Sequence, residues 1–251
     1  MKSVTVSEVL DWIRCRQLWA YRYGQGLKPI EKSTNMVSGW VVHKTIQDAL
    51  AGRVPSMDAH VEALLYQEFD GDEELVQRYQ PGVMRALSKV PSWVWDEENW
   101  HVEEGLGIAL GEDEIRGRPD LFRVDDKTVD IIEFKTTEAE SLEFLLWNPQ
   151  HQYYGLMLSR LYPDRVIRFR YVCLPTSTKK YADTMPWIFT SRQMVAAQAE
   201  LQLVVSEVGK LAIARSRGRG CEFCDYNKLC ATVLTGGDEA GTTREYYKQG
   251  E

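Results

Sequence analysis

Apolar residues first recur at Val9, Trp12, Ile13, Trp19 and Ala20, the three-and-four spacing of one helical face. Thr5 and Glu8, just ahead of them, have the spacing of a capping box. The pattern therefore predicts a helix from Thr5 to about Tyr23, closed by the turn Gly24-Gln25-Gly26. A second helix is expected over 38–50, where Trp40, His43, Ile46 and Leu50 share an inward face. Residues 58–89 read as two acidic amphipathic helices. Leu64, Leu65 and Phe69 lie on one, Leu75, Val76 and Tyr79 on the other, and together they suggest a helical insertion at about 51–95.

From Trp100 the period shortens to that of strands, predicted over 100–110, 113–124 and 128–136, with Asp125-Asp126-Lys127 turning the last two. Asn148 followed by Pro149 is a good helix start, for a helix to about Leu161. Residues 165–174 then alternate, with Ile167, Phe169, Tyr171 and Cys173 on one face and Arg168 and Arg170 on the other. A strand near 186–190 and a long helix over 191–214 follow. From Ala231 the chain is polar and glycine-rich, and is expected as a tail with little to fold around.

Composition narrows the class. With 44% apolar and 27% charged residues, the chain has the balance of a soluble globular protein. It has no apolar run long enough to span a membrane and no secretory leader at Met1-Lys2-Ser3-Val4-Thr5, so a cytoplasmic location is expected, with no membrane partner. In that compartment the five cysteines point to metal binding or burial rather than to disulfides. A net charge of −7 is not the footprint of a nucleic-acid binder, but the charge is uneven. Residues 58–74 hold seven acids and no lysine or arginine. Residues 160–180 hold Arg160, Arg165, Arg168, Arg170, Lys179 and Lys180 against Asp164, and Lys210, Arg215, Arg217 and Arg219 form another basic group. A local basic groove is compatible with that distribution.

The candidate chemistry sits on the predicted hairpin. Hard divalent cations such as Mg2+ take oxygen ligands, and the hairpin turn can bring Asp120 and Glu133 together. Lys135 is two residues beyond Glu133, so both point to one face of a strand while Phe134 points into the core. A lysine there could position or deprotonate an attacking water, or stabilise charge on a phosphorus centre. Spacing alone is a weak signal, because a surface hairpin with ordinary charges looks the same. His43 is either a core histidine or a third metal ligand. Gln150 and Tyr154, at i and i+4, share a helical face after the Glu-x-Lys strand. His60, His101 and His151 read as structural.

Cys221, Cys224 and Cys230 form a C-x2-C-x5-C run. With Cys15 as a fourth thiolate they could hold a structural Zn2+ or a 4Fe–4S cluster, clamping the first helix to the C-terminal segment. Spacing favours neither metal centre. Cys173 reads as core packing.

Taken in order, the segments 7–15, 39–43, Gly117-Arg118-Pro119-Asp120, Glu133-Phe134-Lys135-Thr136, 150–154 and 221–230 resemble the RecB-like branch of the PD-(D/E)xK nuclease superfamily. The similarity is to its iron–sulfur members, such as the CRISPR-associated exonucleases of spacer acquisition and the nuclease domain of AddB-type recombination proteins. The resemblance implies an α/β, restriction-endonuclease-like fold: a mixed β-sheet core flanked by helices, with the helical insertion, over a single domain at 1–230 and a polar tail at 231–251. It implies catalytic roles for His43, Asp120, Glu133, Lys135, Gln150 and Tyr154. Among these, His43, Asp120 and Glu133 would bind Mg2+ or Mn2+ with the Phe134 carbonyl, and Gln150 and Tyr154 would match a Q-x3-Y motif. Cys15, Cys221, Cys224 and Cys230 would hold a 4Fe–4S cluster, with Zn2+ as the alternative.

The expected activity is that of a metal-dependent DNA exonuclease acting on DNA ends or single strands. A recombination or CRISPR-adaptation protein is the implied partner. Arg168, Arg170 and the 215–219 group are candidate phosphate contacts. A DNA-end-binding adaptor with little cleavage is the competing reading.

Overall fold

The computed structural model describes residues 2–31, 33–136, 145, 148–180, 182–183, 186–210, 214–216 and 218–250. It divides into two compact units: 1–33 with 109–115 and 200–251, and 34–108 with 116–199.

The chain begins with strand β1 (Ser3–Thr5) and helix α1 (Val6–Arg14), whose Thr5 side chain accepts from the Glu8 N–H as the capping pattern predicts. The single helix expected to run to Tyr23 is interrupted. Cys15 takes an extended conformation (φ −166°, ψ 114°), and α2 (Arg16–Trp19) and a π-turn (Ala20–Gly24) follow it. Periodicity could not register the break, because one extended residue leaves the apolar stripe almost in phase. Strand β2 (Leu27–Pro29) closes this segment.

Helix α3 (Thr34–Leu50) starts a turn earlier than predicted. It buries Val37, Val41, Val42 and Ile46, while Trp40, expected inside, is 39% exposed. Next come α4 (Met57–Glu68), α5 (Glu73–Leu87) and α6 (Ser92–Asp96). These helices of the expected insertion do not form a separate layer. Val61, Leu65, Val76, Val83 and Leu87 share one core with α3 and with Leu121, Ile132, Phe134, Val172 and Leu174.

The strands are β3 (His101–Val102), β4 (Leu106–Leu110), β5 (Asp113–Gly117), β6 (Leu121–Val124) and β7 (Thr128–Lys135). Each of the first two predicted strands is thus split. Arg118-Pro119-Asp120 separates β5 from β6, since Pro119 has no N–H to continue a ladder. Helix α7 (Gln150–Leu161), strands β8 (Val166–Cys173), β9 (Ala182–Asp183) and β10 (Trp187–Ile188), and helix α8 (Ser191–Glu207) follow. Helix α8 ends at Glu207, short of the predicted Ala214, and Gly209 just beyond it has a φ of +77° that favours glycine. Residues 211–213 of that prediction lie outside the described residues.

The second unit holds the mixed sheet, in the order β10-β8-β7-β6-β3 with β9 also on β8. Strands β7 and β8 run parallel over the pairs Thr128↔Val166 to Lys135↔Cys173, and the other pairings are antiparallel. Helices α3 to α6 cover one face, and α7 packs on β7 and β8 at the other. This is the mixed sheet flanked by helices that the resemblance implied.

In the first unit the expected tail folds. Residues 227–249 form α9 (Asn227–Thr235), α10 (Glu239–Tyr246) and β11 (Tyr247–Gln249), the last paired antiparallel with β2. Tyr226, Leu229 and Tyr247 share a core with Leu18, Tyr21 and Leu27, which a composition average over twenty polar residues conceals. Tyr247→Ala should therefore destabilise the first unit by about 3 kcal/mol, in the range for large aromatic truncations. Urea unfolding followed by circular dichroism measures it, and a change within error would contradict the structural role of this segment.

Candidate active site and cysteine cavity

The register of the sheet builds the site. Strands β6 and β7 pair Leu121 with Ile132, so one step further sets Asp120 beside Glu133. Strands β3 and β6 pair Val102 with Leu121, and beyond that pair the Glu103 N–H donates to the Asp120 carbonyl at 3.0 Å. Glu103, Asp120 and Glu133 therefore form a row across three neighbouring strands. Glu103 occupies the left-handed region (φ 49°), which a glutamate adopts only when its surroundings hold it there.

Asp120 and Glu133 are buried, at 9% and 5% exposure. Asp120 Oδ1 lies 3.0 Å from His43 Nδ1, and Oδ2 accepts the Phe134 N–H at 2.7 Å. Helix α3 delivers His43 where Gly39 passes the end of β7; a Cβ at Gly39 would lie 3.1 Å from Thr136 Oγ1. Glu133 Oε1 accepts from Lys135 Nζ at 2.9 Å and from Gln150 Nε2 at 2.7 Å, while Lys135 Nζ also donates to Gln150 Oε1 at 2.9 Å. Asn148 Oδ1 caps the Gln150 N–H at 3.0 Å and fixes the first turn of α7. One turn on, Tyr154 donates to the Arg118 carbonyl at 3.0 Å and ties α7 to the turn that carries Asp120.

The electrostatics follow from this crowding. Burial opposes the charge on Asp120, but His43, Lys135 and the Phe134 N–H outweigh it and hold its pKa low. His43 is correspondingly raised: burial works against it, and Asp120 wins. Glu133 is pushed up by burial and by Asp120. Burial disfavours the Lys135 ammonium, yet Glu133 and Asp120 keep its pKa above the ordinary lysine value. Burial, then Glu133, keeps the Tyr154 phenol protonated. Glu103 is pushed up to about 7 by burial and by Asp120.

All six expected catalytic residues meet here, and the structure adds Glu103. One ligand atom each from His43, Glu103 and Asp120 lies within 4.8 Å of the other two, the only such group of three or more His, Cys, Asp or Glu among the described residues. Sequence reasoning missed Glu103 because only the β3–β6 register reveals it. Glu133 Oε2 is buried with no hydrogen-bond partner. A buried carboxylate oxygen without a donor suits a cation ligand, so the residues present fit a divalent metal.

The proposed phosphate-contacting strand is otherwise engaged. Arg168 donates twice to Asp130 at 2.5 Å, and Arg170 donates to Asp183 at 2.7 Å and lies over the Trp93 ring. These partners neutralise both guanidinium groups, a pairing the alternating pattern of β8 could not display. Of the second basic group, Arg217 lies outside the described residues.

Cys15, Cys221, Cys224 and Cys230 line one cavity of about 440 Å3 with Arg14, Leu18, Arg215 and Tyr226. None of the four is in a disulfide, nor is the buried Cys173. The extended break at Cys15 is what separates α1 from α2 at the cavity wall.

The PD-(D/E)XK nuclease superfamily model matches residues 3–231. No curated protein matches the chain. Among solved structures, a Eubacterium rectale protein described as a "putative exonuclease" is 11% identical, with 94% of each chain covered and a TM-score of 0.55. The protein SSO0001 is 14% identical over 90% of this chain and 84% of its own, with a TM-score of 0.44. At 11% identity the likeness to the Eubacterium rectale protein is one of fold. Among the described residues no helix is long and apolar enough to cross a membrane.

A raised pKa stabilises the fold while the group is protonated. The Glu103 contribution is complete below its ordinary value of 4.5 and is lost as pH rises through about 7; that of His43 is lost from 6.5 upwards. The metal-free protein should thus melt at a lower temperature as pH rises from about 5 to about 8, and Glu103→Gln should remove the earlier part of that loss. Calorimetry in chelator checks this, and equal slopes for wild type and variant would refute it.

Proposed function

The chain belongs to the PD-(D/E)XK nuclease superfamily, and on that premise we propose that it is a Mg2+- or Mn2+-dependent DNase, an exonuclease acting on DNA ends or single strands. The observation that carries this reading is the carboxylate row beside a charged Lys135, in a chain that matches the superfamily over nearly its whole length. The name given to the Eubacterium rectale protein supports the exonuclease part.

His43, Asp120 and Glu133 are the proposed metal ligands, with the Phe134 carbonyl and with Glu103 beside them. When bound, such a cation activates water and offsets charge on the scissile phosphate. Lys135, held by Glu133, stabilises the negative charge that develops on the phosphoryl oxygens. Gln150 braces Lys135 against Glu133, and Tyr154 positions the Asp120 turn through Arg118.

For the cysteines we propose a 4Fe–4S cluster of the RecB-like kind. Four thiols lining one cavity support a shared metal centre, and the resemblance to the iron–sulfur members of the superfamily supports the cluster over Zn2+. Anaerobically purified protein should be brown and contain iron and sulfide; colourless, zinc-loaded protein would refute this.

Lys135→Met and Glu133→Gln should each lower metal-dependent cleavage by about 100-fold or more, given the size of single charge-stabilising groups in other enzymes. End-labelled linear and circular DNA with Mn2+ reports activity and end dependence together. Full cleavage by both variants would sink the assignment, and DNA binding without product from wild type would favour an end-binding adaptor.

A further inference from the structure

Strand β8 ends beside the candidate site, and the segment that follows it is basic and rich in hydroxyls. Cys173 pairs with Lys135, and the Leu174 N–H donates to the Lys135 carbonyl at 2.7 Å. Residues 175–180, Pro-Thr-Ser-Thr-Lys-Lys, therefore leave the sheet at the carboxyl ends of its two parallel strands, the end where such sheets take their ligands. Residues 174–180 contain no acid, and Thr178, Lys179 and Lys180 are exposed. Within the basic group 160–180, Arg168 and Arg170 are paired with Asp130 and Asp183, and Arg165 lies at the opposite end of β8. The two lysines are the members of that group placed next to the site.

Helix α5 grips this segment by its main chain. Lys89 Nζ donates to the Pro175 and Ser177 carbonyls at 2.6 Å each, and Arg85 donates to the Thr176 carbonyl between them at 2.6 Å. Three successive carbonyls are thus turned towards α5. In a trans peptide the N–H points opposite to the carbonyl, so the N–H groups of Thr176, Ser177 and Thr178 are directed away from the helix. The clamp withdraws the negative ends of these peptides from the outer surface and leaves N–H groups, hydroxyls and lysines there, the donors that take phosphate oxygens. It also fixes the segment before any ligand arrives, which lowers the ordering cost of binding.

We propose that residues 175–180 receive the phosphate backbone of the DNA strand beside the carboxylates, with Lys179 and Lys180 on its phosphates and Arg85 and Lys89 as positioning residues. The inference rests on the nuclease reading and deepens it, by naming the surface along which the strand runs. Six residues of extended chain span at most about 20 Å, the length of about six stacked nucleotides, so both lysines stay within reach of a strand whose scissile phosphate is at the carboxylates. Contacts of this kind hold the strand in register without reading its sequence.

The test is the salt dependence of DNA binding. The full chain, purified anaerobically, is titrated against a labelled single-stranded oligonucleotide over a range of NaCl concentrations, with Ca2+ in place of Mg2+ to fill the oxygen ligands. Fluorescence anisotropy gives the affinity at each concentration. Each phosphate contact to a single strand adds about 0.7 to the slope of log affinity against log salt. The double variant Lys179→Gln, Lys180→Gln should therefore show a slope shallower than wild type by about 1.4. Arg165→Gln removes a charge over the Tyr162 ring, about 25 Å away at the far end of β8, and should keep the wild-type slope. A wild-type slope in the double variant, or a comparable drop in Arg165→Gln, overturns the proposal. Cleavage with Mn2+ is read on the same preparations. Cleavage by wild type with an unchanged slope in the double variant sinks the proposed surface and leaves the nuclease reading standing. The expected drop in slope without cleavage by wild type sinks the nuclease reading and keeps the surface, and no DNA binding by wild type overturns both.

Discussion

Like charges held close together in a buried place repel, and the second unit is built round one such set. Glu103, Asp120 and Glu133 lie in a row, and Asp120 raises the cost of ionising the glutamate on either side of it. The arrangement persists because a different element offsets each part of it. Helix α3 supplies His43, β7 supplies Lys135 and the Phe134 N–H, and α7 supplies Gln150. Asp120, with the most partners, is the acid that keeps its charge most readily.

Other local features follow from that requirement. Pro119 ends the ladder just before Asp120, freeing the aspartate to reach both His43 and the backbone of β7. Gly39 lets α3 approach the end of β7 closely enough for His43 to meet the acid. Tyr154 secures the turn from the other side by its bond to Arg118. The acidic helices α4 and α5 contribute indirectly, burying Val61, Leu65, Val76 and Val83 under the sheet that sets the register. Arg168 and Arg170, the basic residues nearest to hand in the sequence pattern, are spent on Asp130 and Asp183. The first unit carries its own chemistry in the thiol-lined cavity, backed by Leu18, Tyr21 and Tyr226.

Much of this was legible in the chain, and for identifiable reasons. Local rules hold where the interaction is local: the Thr5 cap, the turn at Asp125-Asp126-Lys127, the Asn148 side chain accepting from Gln150 at the start of α7, one residue later than predicted, and the shared face of Glu133 and Lys135. Motif order brought His43, Gln150 and Tyr154 to the same site although they lie far apart along the chain. Where prediction failed, a single residue or a distant partner intervened. Cys15 breaks a helix without disturbing its apolar phase, and the C-terminal residues fold because Tyr247 has Tyr226 to stack on.

The sequence by itself determined the alternation that aims Glu133 and Lys135 one way and Phe134 the other, the four cysteines, and the residue types able to hold a hard cation. These depend on backbone periodicity and side-chain chemistry, which the chain carries wherever it goes. Only the tertiary structure decided that Glu103 joins the site, that Glu133 keeps an oxygen free, and that two arginines are already paired. Each of those rests on strand register and on which charges end up adjacent after burial, and neither quantity exists until the sheet has formed.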